Sequence, residues 1–424
     1  MNQAFENVTC KFCGCLCDDL KVEVTPNGKI SKALRACPNG RSFFLDYDPA
    51  FQKPTVDGRQ VEWQQAIQEA ASILDKADNP LIYGLSSSSN EAQRKAVALA
   101  DHIGAIIDST SSVCHGPTGL AFQTVGNPTC SLGEVKDRAD LVVFWGCNPL
   151  ESHVRHLSRY SLNPKGLLTT NGRQDRHMVV VDVRPTASSK KADQFIQIKP
   201  GWDYEALSAL RAILKGRSLE VDQIGGVALS QWAGLAHRMK TCRYGVAFFG
   251  MGLTMSSGRD HNVAELFSLA AELNQFTRFS VIPMRGHGNV AGADKVLTWQ
   301  SGYPMAVSFA RGYPQFGPGE FSAVDVLARR EADAALIVAS DPSGHFPKYA
   351  AQHLENIPTI LLNSIPNCTS SAARVFFPTA CYGIDAGGTA CRMDNIPIRL
   401  RAVMANQRPT DEEVIQKIME AIAR

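Results

Sequence analysis

The sequence contains no run of eighteen or more apolar residues, and its opening segment, MNQAFENVTC, has no apolar core. The first absence argues against a membrane-spanning helix, which needs about twenty apolar residues, and the second argues against a secretion signal. The chain also lacks a basic run, and its formal net charge is only +2. A balanced charge gives no general attraction for nucleic acid or a membrane surface. We therefore expect a cytoplasmic protein of two or three domains.

Cysteine, in contrast, is plentiful, and four of the twelve cysteines form a dense motif near the start. Cys10, Cys13, Cys17 and Cys37 follow the pattern C-x2-C-x3-C-x19-C. Three close thiolates and a fourth from a returning loop are the arrangement that a cuboidal iron–sulfur cluster needs. Zinc ribbons usually pair two C-x2-C knuckles, and the second knuckle is missing. The spacing therefore favours a [4Fe-4S] cluster over zinc or disulfides, with Cys15 as a neighbour that is not a ligand.

Beyond residue 54, short apolar runs alternate with segments of helical periodicity. Strands are predicted at residues 81–85, 105–108, 140–146, 177–185, 243–250, 279–283, 334–340 and 359–363. This alternation predicts α/β architecture, with parallel sheets covered by helices on both faces. A turn signal at Asn27-Gly28 predicts a hairpin in the four-cysteine region. Residues 285–318, rich in Gly, Pro and aromatic residues, are predicted to form long ordered loops.

Four of the predicted strands end in small polar signatures. In open α/β sheets, ligands bind beyond the carboxyl ends of the strands. Glycines there let the backbone approach a ligand, exposed amides can hold phosphate oxygens, and an Asp can accept from a guanine edge or a ribose hydroxyl. The predicted cofactor-binding residues at these ends are Gly146, Asn148, Pro149, Asp182, Arg184, Thr186, Gly250, Gly252, Ser340, Asp341 and Pro342.

One segment makes the prediction more specific. Residues 182–214, DVRPTASSKKADQFIQIKPGWDYEALSALRAIL, resemble the pterin-dinucleotide segment of the molybdopterin oxidoreductases. Within that superfamily, the whole chain is most similar to the B subunit of formylmethanofuran dehydrogenase. The similar strings are SSVCHGPTGLA (111–121), LGEVKDRADLVVFWGCNP (132–149), HVRHLSRYS (153–161), PMRGHGNVAG (283–292), TWQSGYP (298–304), RGYPQFGPGE (311–320) and GGTACRMDNIPIRL (387–400).

The resemblance implies a fold of the formate dehydrogenase/DMSO reductase type. A small iron–sulfur lobe (residues 1–50) would precede two doubly wound α/β domains. The first of these would be discontinuous (51–135 with 335–424), and the second (136–334) would bind the pterin dinucleotides. After residue 400 only one helix is predicted (411–424), so the C-terminal β-barrel domain of the superfamily is expected to be absent and supplied by a separate small subunit.

The resemblance also implies a metal centre. Cys114 would ligate tungsten or molybdenum, which two pterin guanine dinucleotides also hold; the sequence does not choose between the two metals. His115 would handle a proton, and Arg285 would bind formate oxygens. Without the resemblance, a buried cysteine at a strand-to-loop junction would explain Cys114, and an arginine that holds loops together stays an alternative for Arg285. Arg41 stands near the position where related formate dehydrogenases usually have a lysine between cluster and pterin.

Further cofactor-binding residues follow from the same similarity. For His153, phosphate binding and a partly solvated helix face are both open interpretations. The additional residues are Pro200, Gly201, Asp203 and His153.

The predicted function is reversible two-electron conversion of CO2 and formate. Formate would pass to a metallohydrolase subunit for condensation with a methanofuran-type C1 carrier. The expected partners are an amidohydrolase-like A subunit, a C subunit, a small barrel-type D subunit and ferredoxin-like electron carriers. One alternative is a cofactor-free scaffold subunit of a bacterial formyltransferase/hydrolase complex. Another is a different molybdopterin formate dehydrogenase, which would share the metal site but not the strings at 283–289 and 311–320.

Overall fold

The computed structural model describes residues 2–49, 52–405 and 408–422. The chain forms two compact units, a discontinuous unit (residues 1–113 with 287–424) and a central unit (residues 114–286). Both are built from sheets and helices, which confirms the predicted mixed α/β class. The division into three domains with boundaries at 50, 135 and 334 stays a prediction.

The central unit is built on a five-stranded, fully parallel sheet. In spatial order the strands are Gln194–Gln197, His177–Asp182, Leu141–Trp145, Tyr244–Phe249 and Arg278–Pro283. The strand that comes first in the chain lies in the middle, and the chain winds outward from it in both directions, as in doubly wound folds. The helices are Gly116–Val125, Leu132–Arg138, Pro149–Ser152, Asp203–Leu214, Leu229–Thr241, Met251–Thr254 and Arg259–Leu273, with a π-helical turn at Leu157–Ser161.

The strands Leu141–Trp145 and Tyr244–Phe249 are buried along their whole length, because both faces of the sheet are covered. On one face, Trp145 stacks on Trp232 with ring centroids 6.1 Å apart. On the other face, Phe144 stacks on Phe248 at 5.3 Å. The buried core that includes Trp145 continues into the helices Asp203–Leu214 and Arg259–Leu273.

The discontinuous unit is built on a nine-stranded sheet whose five middle strands are parallel. In spatial order the strands are Gln315–Phe316, Val307–Ser308, Ile106–Ser109, Pro80–Gly84, Ala334–Val338, Thr359–Asn363, Val375–Pro378, Thr55–Val56 and Arg59–Gln60. The helices are Pro38–Leu45, Trp63–Asp75, Asn90–Ile103, Val290–Ser301, Ala323–Ala328, Pro342–His345, Lys348–Asn356, Cys368–Ala372 and Asp411–Ile422.

Alternate residues of these parallel strands point into separate cores. Ile82 and Leu336 belong to one buried cluster, whereas Leu81 and Ile337 belong to another. Period-two alternation places successive side chains on opposite faces of a sheet. Helices therefore cover both faces, as the apolar runs predicted.

The four-cysteine region contains a three-stranded antiparallel sheet, Gln3–Val8, Leu20–Val24 and Ile30–Leu34. Its last two strands are joined by a turn in which Gly28 has φ of +75°, which confirms the predicted hairpin. A further two-stranded ribbon pairs Gly388–Cys391 with Pro397–Leu400, and a short one pairs Gln223–Ile224 with Val227–Ala228.

One local prediction is wrong. Residues 285–318 are not loop throughout, because Val290–Ser301 forms a helix of 12 residues. Gly292 lies inside it where a Cβ would stand 2.3 Å from Asn90 Oδ1, so this glycine serves close packing rather than a turn. The last predicted helix is present at Asp411–Ile422, and its predicted end, residues 423–424, lies outside the described residues. No helix among the described residues is long and apolar enough to cross a bilayer.

Candidate functional site

The strand order of the central unit reverses between Leu141–Trp145 and Tyr244–Phe249. Ligands of open α/β sheets bind in the crevice outside the carboxyl ends of strands at such a switch point. Gly146 and Gly250 directly follow these two strands. The predicted cofactor-binding turns therefore lie at the edge where the topology places a ligand.

The glycines at this switch point let the two turns pack on each other. Gly146 has φ of +57°, and a Cβ there would stand 2.6 Å from the backbone nitrogen of Leu253. A Cβ on Gly252 would stand 2.7 Å from Gly146 Cα, and Gly252 N–H donates to Gly146 O over 2.9 Å. A Cβ on Gly250 would meet Cys147 Cβ at 2.6 Å. A larger residue at any of these glycines would separate the turns.

Asn148 and Thr186 organise the neighbouring loops through their own side chains. Asn148 Oδ1 accepts from the backbone N–H and the hydroxyl of Ser188, at 3.1 and 2.6 Å. Thr186 N–H donates to Ser189 Oγ at 2.8 Å, and Ser189 N–H donates to Thr186 Oγ1 at 3.1 Å. Pro149 begins the short helix that follows Asn148. These hydrogen bonds hold the loops that follow the strands at this edge of the sheet.

Asp182 and Arg184 lie at the carboxyl end of the next strand. Asp182 Oδ1 accepts from the Val183 N–H over 2.8 Å. Burial raises the pKa of Asp182. Arg184 is exposed at this edge.

One carboxylate oxygen of Asp203 accepts a hydrogen bond, and the other accepts none from the described residues. Trp145 Nε1–H donates to Asp203 Oδ1 over 2.8 Å, whereas Oδ2 is buried without a hydrogen bond from any residue that the structure describes. Burial raises the pKa of Asp203, whereas the hydrogen bond from Trp145 and the nearby Ser256 side chain lower it. The Ser256 hydroxyl donates to the Leu253 carbonyl over 3.0 Å, so it does not occupy Oδ2. Gly201, with φ of +80°, and the exposed Pro200 form the turn before the helix Asp203–Leu214, which begins at Asp203. An unused buried acceptor is what the N–H edge of a guanine requires, because leaving it unpaired is unfavourable.

Cys114 is half-buried and lies two residues before the helix Gly116–Val125. Thr254 Oγ1 donates to the Cys114 carbonyl over 2.6 Å. The helix is held in turn by Phe122, whose ring stacks on that of Phe267 at 5.2 Å. The backbone that carries the thiol is therefore fixed from two sides.

His115 is 2% exposed, and both of its ring nitrogens are engaged. Nε2 lies 3.2 Å from the Met284 carbonyl, and Nδ1 lies 3.1 Å from Thr118 Oγ1. A carbonyl can only accept, so the ring proton is on Nε2 and Nδ1 accepts from the hydroxyl. Burial, followed by the charge of Arg285, lowers the pKa of His115 to about 3. The ring is therefore neutral near neutral pH.

Arg285 and His153 form a second buried contact. Arg285 is 5% exposed and follows the strand Arg278–Pro283. His153 Nε2–H donates to the Arg285 carbonyl over 2.8 Å, and Nδ1 lies 2.8 Å from Ser152 Oγ. His153 is 1% exposed, so its interpretation as part of a solvated helix face is wrong. Burial lowers the pKa of His153 to about 4.

The discontinuous unit has its own switch point, between Pro80–Gly84 and Ala334–Val338. Gly84, with φ of +114°, approaches the Val338 carbonyl so closely that a Cβ would stand 2.3 Å from the oxygen. Of the residues predicted to bind cofactor, Ser340, Asp341 and Pro342 lie in the turn after Ala334–Val338.

The Asp341 carboxylate is used within this turn. Oδ1 accepts from the N–H and the hydroxyl of Thr369 at 2.8 and 2.7 Å, which holds the helix Cys368–Ala372. Burial raises the pKa of Asp341, but these hydrogen bonds outweigh it and leave the pKa lowered. The Ser340 carbonyl accepts from Asn367 Nδ2 at 3.0 Å, and Pro342 is buried.

The four predicted cluster ligands lie together in the discontinuous unit. Cys10, Cys13 and Cys17 lie on the loop after Gln3–Val8, where Cys10 N–H donates to Cys17 O over 2.9 Å. Cys37 caps the helix Pro38–Leu45. The pKa of the Cys10 thiol is raised, first by burial and further by the negative charges of the other three. Cys15 is buried beside Cys13, and a hydrogen bond between the two thiols lowers the pKa of Cys13 and raises that of Cys15.

Gly40 leaves room between two of these thiols. Its N–H lies 3.3 Å from Cys37 Sγ, and a Cβ would stand 3.1 Å from Cys10 Sγ and 3.6 Å from Cys37 Sγ. Hydrogen bonds to sulfur are one way in which proteins tune iron–sulfur clusters. In the described ranges, no three His, Cys, Asp or Glu side chains are placed to share one metal ion. The cluster at these cysteines stays a prediction, and both the position of the four thiols and the absence of a side chain at Gly40 fit it.

Sequence reasoning missed Lys11, the residue between the first two cysteines of the motif. Its ammonium donates to the Ser87 carbonyl over 2.7 Å and lies 6.0 Å from the ring centroids of Phe43 and Tyr382. Arg41, which stands near the position of a lysine in related formate dehydrogenases, is exposed. Its position inside the C-x2-C motif is the sequence feature that could have identified Lys11 as a cation beside the predicted cluster.

A family model and two curated relatives agree on the family of this chain. The family model for molybdopterin oxidoreductase matches residues 52–356. The B subunit of the tungsten-containing formylmethanofuran dehydrogenase 2 of Methanocaldococcus jannaschii is 44% identical over 95% of this chain and 94% of its own length. Its counterpart in Methanococcus maripaludis is 41% identical over 99% of both chains.

A solved structure shares the fold. It is a chain of the formyltransferase/hydrolase complex of Methylorubrum extorquens, solved with methylofuran, and it superposes with a TM-score of 0.71 at 23% identity. The match covers 87% of this chain and 98% of the other.

Proposed function

Because this chain belongs to the molybdopterin oxidoreductases, and among them to the B subunits of formylmethanofuran dehydrogenase, we propose that it catalyses the redox step of that enzyme. Family membership makes it an oxidoreductase. The proposed reaction is the reversible conversion of CO2 to formate, in which CO2 gains two electrons and one proton and a C–H bond forms. A metallohydrolase subunit would then condense formate with the amine of a methanofuran-type carrier.

The observation that carries the proposal is the arrangement around Cys114 in the central unit. Its neighbour His115 lies close enough to Arg285 for the guanidinium charge to lower the imidazole pKa. A soft thiolate suits a sulfur-rich tungsten or molybdenum centre. When bound with its two pterin guanine dinucleotides, that metal supplies the two-electron chemistry. Cys114 is the proposed protein ligand.

Arg285 is the proposed binding group for formate. Its guanidinium offers a planar fork of N–H donors that matches the two oxygens of a carboxylate. Because the residue is only 5% exposed, water competes weakly for those donors. The charge of Arg285 would orient formate and stabilise the negative charge that develops on the two oxygens when CO2 is reduced.

His115 is the proposed proton-handling group. At rest it carries its proton on Nε2, where the Met284 carbonyl accepts, and Nδ1 accepts from Thr118. A proton from the reaction would enter at Nδ1 once the Thr118 hydroxyl turns away. Burial and Arg285 both oppose the charged imidazolium, so His115 would pass such a proton on rather than store it.

The dinucleotide sites are proposed for the switch-point edges of both units. Asp203 Oδ2 would accept from a guanine edge, and the exposed Arg184 would contact a phosphate. The tight turns around Gly146, Gly250 and Gly252 would present backbone groups. Asn148, Pro149, Asp182, Thr186, Pro200, Gly201 and, in the other unit, Ser340, Asp341 and Pro342 complete the proposed set.

Electron transfer is proposed to pass through a [4Fe-4S] cluster on Cys10, Cys13, Cys17 and Cys37. The support is their convergence around Cys10 together with the donor from Gly40. The cluster would exchange single electrons with ferredoxin-like carriers. The domain arrangement of the formate dehydrogenase type belongs to the same proposal.

We also propose that the chain works in a complex. Its relatives from Methanocaldococcus jannaschii and Methanococcus maripaludis are both named as the B subunit of a larger enzyme. The proposed partners are the amidohydrolase-like, C and small barrel-type subunits.

Formate oxidation by the anaerobically purified complex, with a viologen dye as electron acceptor, tests the proposal. Cys114→Ala should abolish turnover and leave the iron content unchanged. The control is Cys242→Ser, because Cys242 lies at the amino end of the strand Tyr244–Phe249, on the opposite edge of the same sheet. Undiminished formate oxidation in Cys114→Ala would refute the role of this cysteine. A complex that transfers formyl groups but never oxidises formate would refute the redox function.

A further inference from the structure

His153 reaches across the switch-point edge of the central unit to the segment that carries Arg285. It lies beyond the strand Leu141–Trp145, at the end of the short helix Pro149–Ser152. The strand Tyr244–Phe249 separates that strand from Arg278–Pro283, which Arg285 follows. The hydrogen bond from His153 Nε2 to the Arg285 carbonyl therefore joins two non-adjacent strand ends.

The backbone on either side of this contact is also fixed. His153 N–H donates to the Pro149 carbonyl over 2.8 Å, and the His153 carbonyl accepts from His156 N–H over 2.7 Å. On the other side, Met284 N–H donates to the Phe249 carbonyl over 2.7 Å. The imidazole thus spans two rigid segments.

The chemistry of the ring allows one role in this arrangement. The Arg285 carbonyl can only accept, so the proton is on Nε2, and Nδ1 is left to accept from the Ser152 hydroxyl. Both nitrogens are used, and the side chain is 1% exposed. No nitrogen remains to donate to a phosphate without breaking the bond to Arg285.

The Met284 carbonyl is held in the same way. His115 Nε2–H donates to it over 3.2 Å. Two successive carbonyls, those of Met284 and Arg285, therefore accept from two buried imidazoles that come from different parts of the chain. Such a pair fixes the two peptide planes that flank the Arg285 Cα, one before it and one after it, and the direction in which the Arg285 side chain leaves the backbone follows from those planes.

We propose that His153 is a positioning residue for Arg285, holding its carbonyl so that the guanidinium meets the two oxygens of a bound carboxylate. This inference rests on the proposed role of Arg285 in binding formate. In this role the His153 imidazole donates a hydrogen bond to the protein backbone, whereas in the prediction from the sequence it would bind a phosphate of the cofactor. Small displacements of a positioned group reduce catalytic efficiency by about 100-fold in other enzymes, and an effect of that order is expected here.

The test compares His153→Leu with His153→Gln in the purified holo complex. Gln can present an N–H near the position of His Nε2, whereas Leu cannot. His153→Leu should raise the KM for formate more than it lowers kcat, and His153→Gln should restore most of the loss. Tungsten or molybdenum and pterin contents should match the wild type in both variants. Loss of metal and pterin from both variants would overturn the inference in favour of direct cofactor binding.

A second readout does not depend on formate chemistry. Hydrogen–deuterium exchange of residues 283–289 should accelerate in His153→Leu and stay near the wild-type rate in His153→Gln. The control is His156→Leu, a buried histidine of the same segment that bonds to Ser161 rather than to Arg285; it should leave this exchange unchanged. Equal exchange in all three variants would overturn the inference, even if wild-type formate turnover were absent and the proposed function had failed.

Discussion

Trp145 donates a hydrogen bond from its indole nitrogen to Asp203 Oδ1 over 2.8 Å, and the other oxygen of that carboxylate stays buried and unused by the described residues. The indole fixes the orientation of the carboxylate at the switch-point edge of the central unit. A buried acceptor with no donor is unfavourable by about 1–3 kcal/mol. A ligand that supplies N–H groups would remove that penalty, which makes Asp203 the sharpest single probe of dinucleotide binding.

Asp203→Asn should weaken dinucleotide binding. The amide oxygen can still accept from Trp145, but the oxygen that is proposed to accept from the guanine is replaced by an NH2 donor. We expect a loss of about 1.5–3 kcal/mol, typical of a hydrogen bond to a charged group. The measurement is the pterin and metal content of the purified complex after gel filtration. Asp222→Asn, an exposed position of the same unit, is the control, and equal pterin content in both variants would refute the assignment of Asp203.

Arg285→Ala should reduce kcat/KM for formate strongly. A buried cation that stabilises developing charge in a dry site is worth about 2–4 kcal/mol, equivalent to about 30- to 1,000-fold in rate. Arg285→Lys should recover part of this loss, because it keeps the charge but loses the two-pronged geometry. Steady-state kinetics of formate oxidation give the comparison, with Arg217→Ala, an exposed arginine of the same unit, as the control. An unchanged kcat/KM in Arg285→Ala would remove this residue from the site.

Eight strands of the two sheets could be predicted from the sequence because they are apolar runs, such as residues 141–145 and 334–338. The strands Gln194–Gln197 and Val375–Pro378 and the four two-residue strands were missed. The helix Val290–Ser301 could not be predicted, because Gly292 and the flanking glycines and aromatic residues resemble a loop. Its packing against Asn90, about two hundred positions earlier in the chain, is visible only in three dimensions.

The candidate site, like the fold, could be predicted from the sequence only in part. The spacing of Cys10, Cys13, Cys17 and Cys37 predicted that they lie together, because three of them share one short loop. The burial of His153 could not be predicted, because HVRHLSRYS is rich in basic and polar residues. Its partner, the Arg285 carbonyl, is 132 positions away. A local pattern carries no information about such a contact.

Gly40→Ala should reduce iron loading. In a helix interior, Gly→Ala normally stabilises by about 1 kcal/mol, but here the new methyl group would press on the sulfurs of Cys10 and Cys37. Iron and labile sulfide per chain measure the effect. Gly234→Ala lies in the helix Leu229–Thr241, and its Cβ would meet nothing within 4 Å. That control should keep its full iron content, and a Gly40→Ala protein that also keeps its iron would argue against a cluster beside this glycine.

Acid should destabilise the central unit through its buried histidines. Burial lowers the pKa of His156 from 6.5 to about 3. Above pH 6.5 the ring is neutral in the folded and the unfolded state, so it contributes no pH dependence. Below that pH the unfolded state binds a proton first, and stability falls by up to about 1.4 kcal/mol per pH unit for each such histidine.

The apparent midpoint of thermal unfolding, measured from about pH 7 to pH 5, tests this expectation. His156→Leu lacks the titrating ring, so its midpoint should fall less steeply than that of the wild type as the pH decreases. Replacement of the exposed His261 by Leu should leave the wild-type slope. Parallel curves for the wild type and His156→Leu would show that His156 is not held neutral in the folded state.

Metal analysis of the anaerobically purified complex by mass spectrometry tests the central claim most directly. The account predicts about four irons per chain together with an equimolar amount of tungsten or molybdenum. Cys114→Ala should lose the tungsten or molybdenum and keep the iron, whereas Cys10→Ala should lose the iron. A complex that contains zinc at the four cysteines, or that holds neither iron nor tungsten nor molybdenum, would contradict the account and identify the chain as a scaffold.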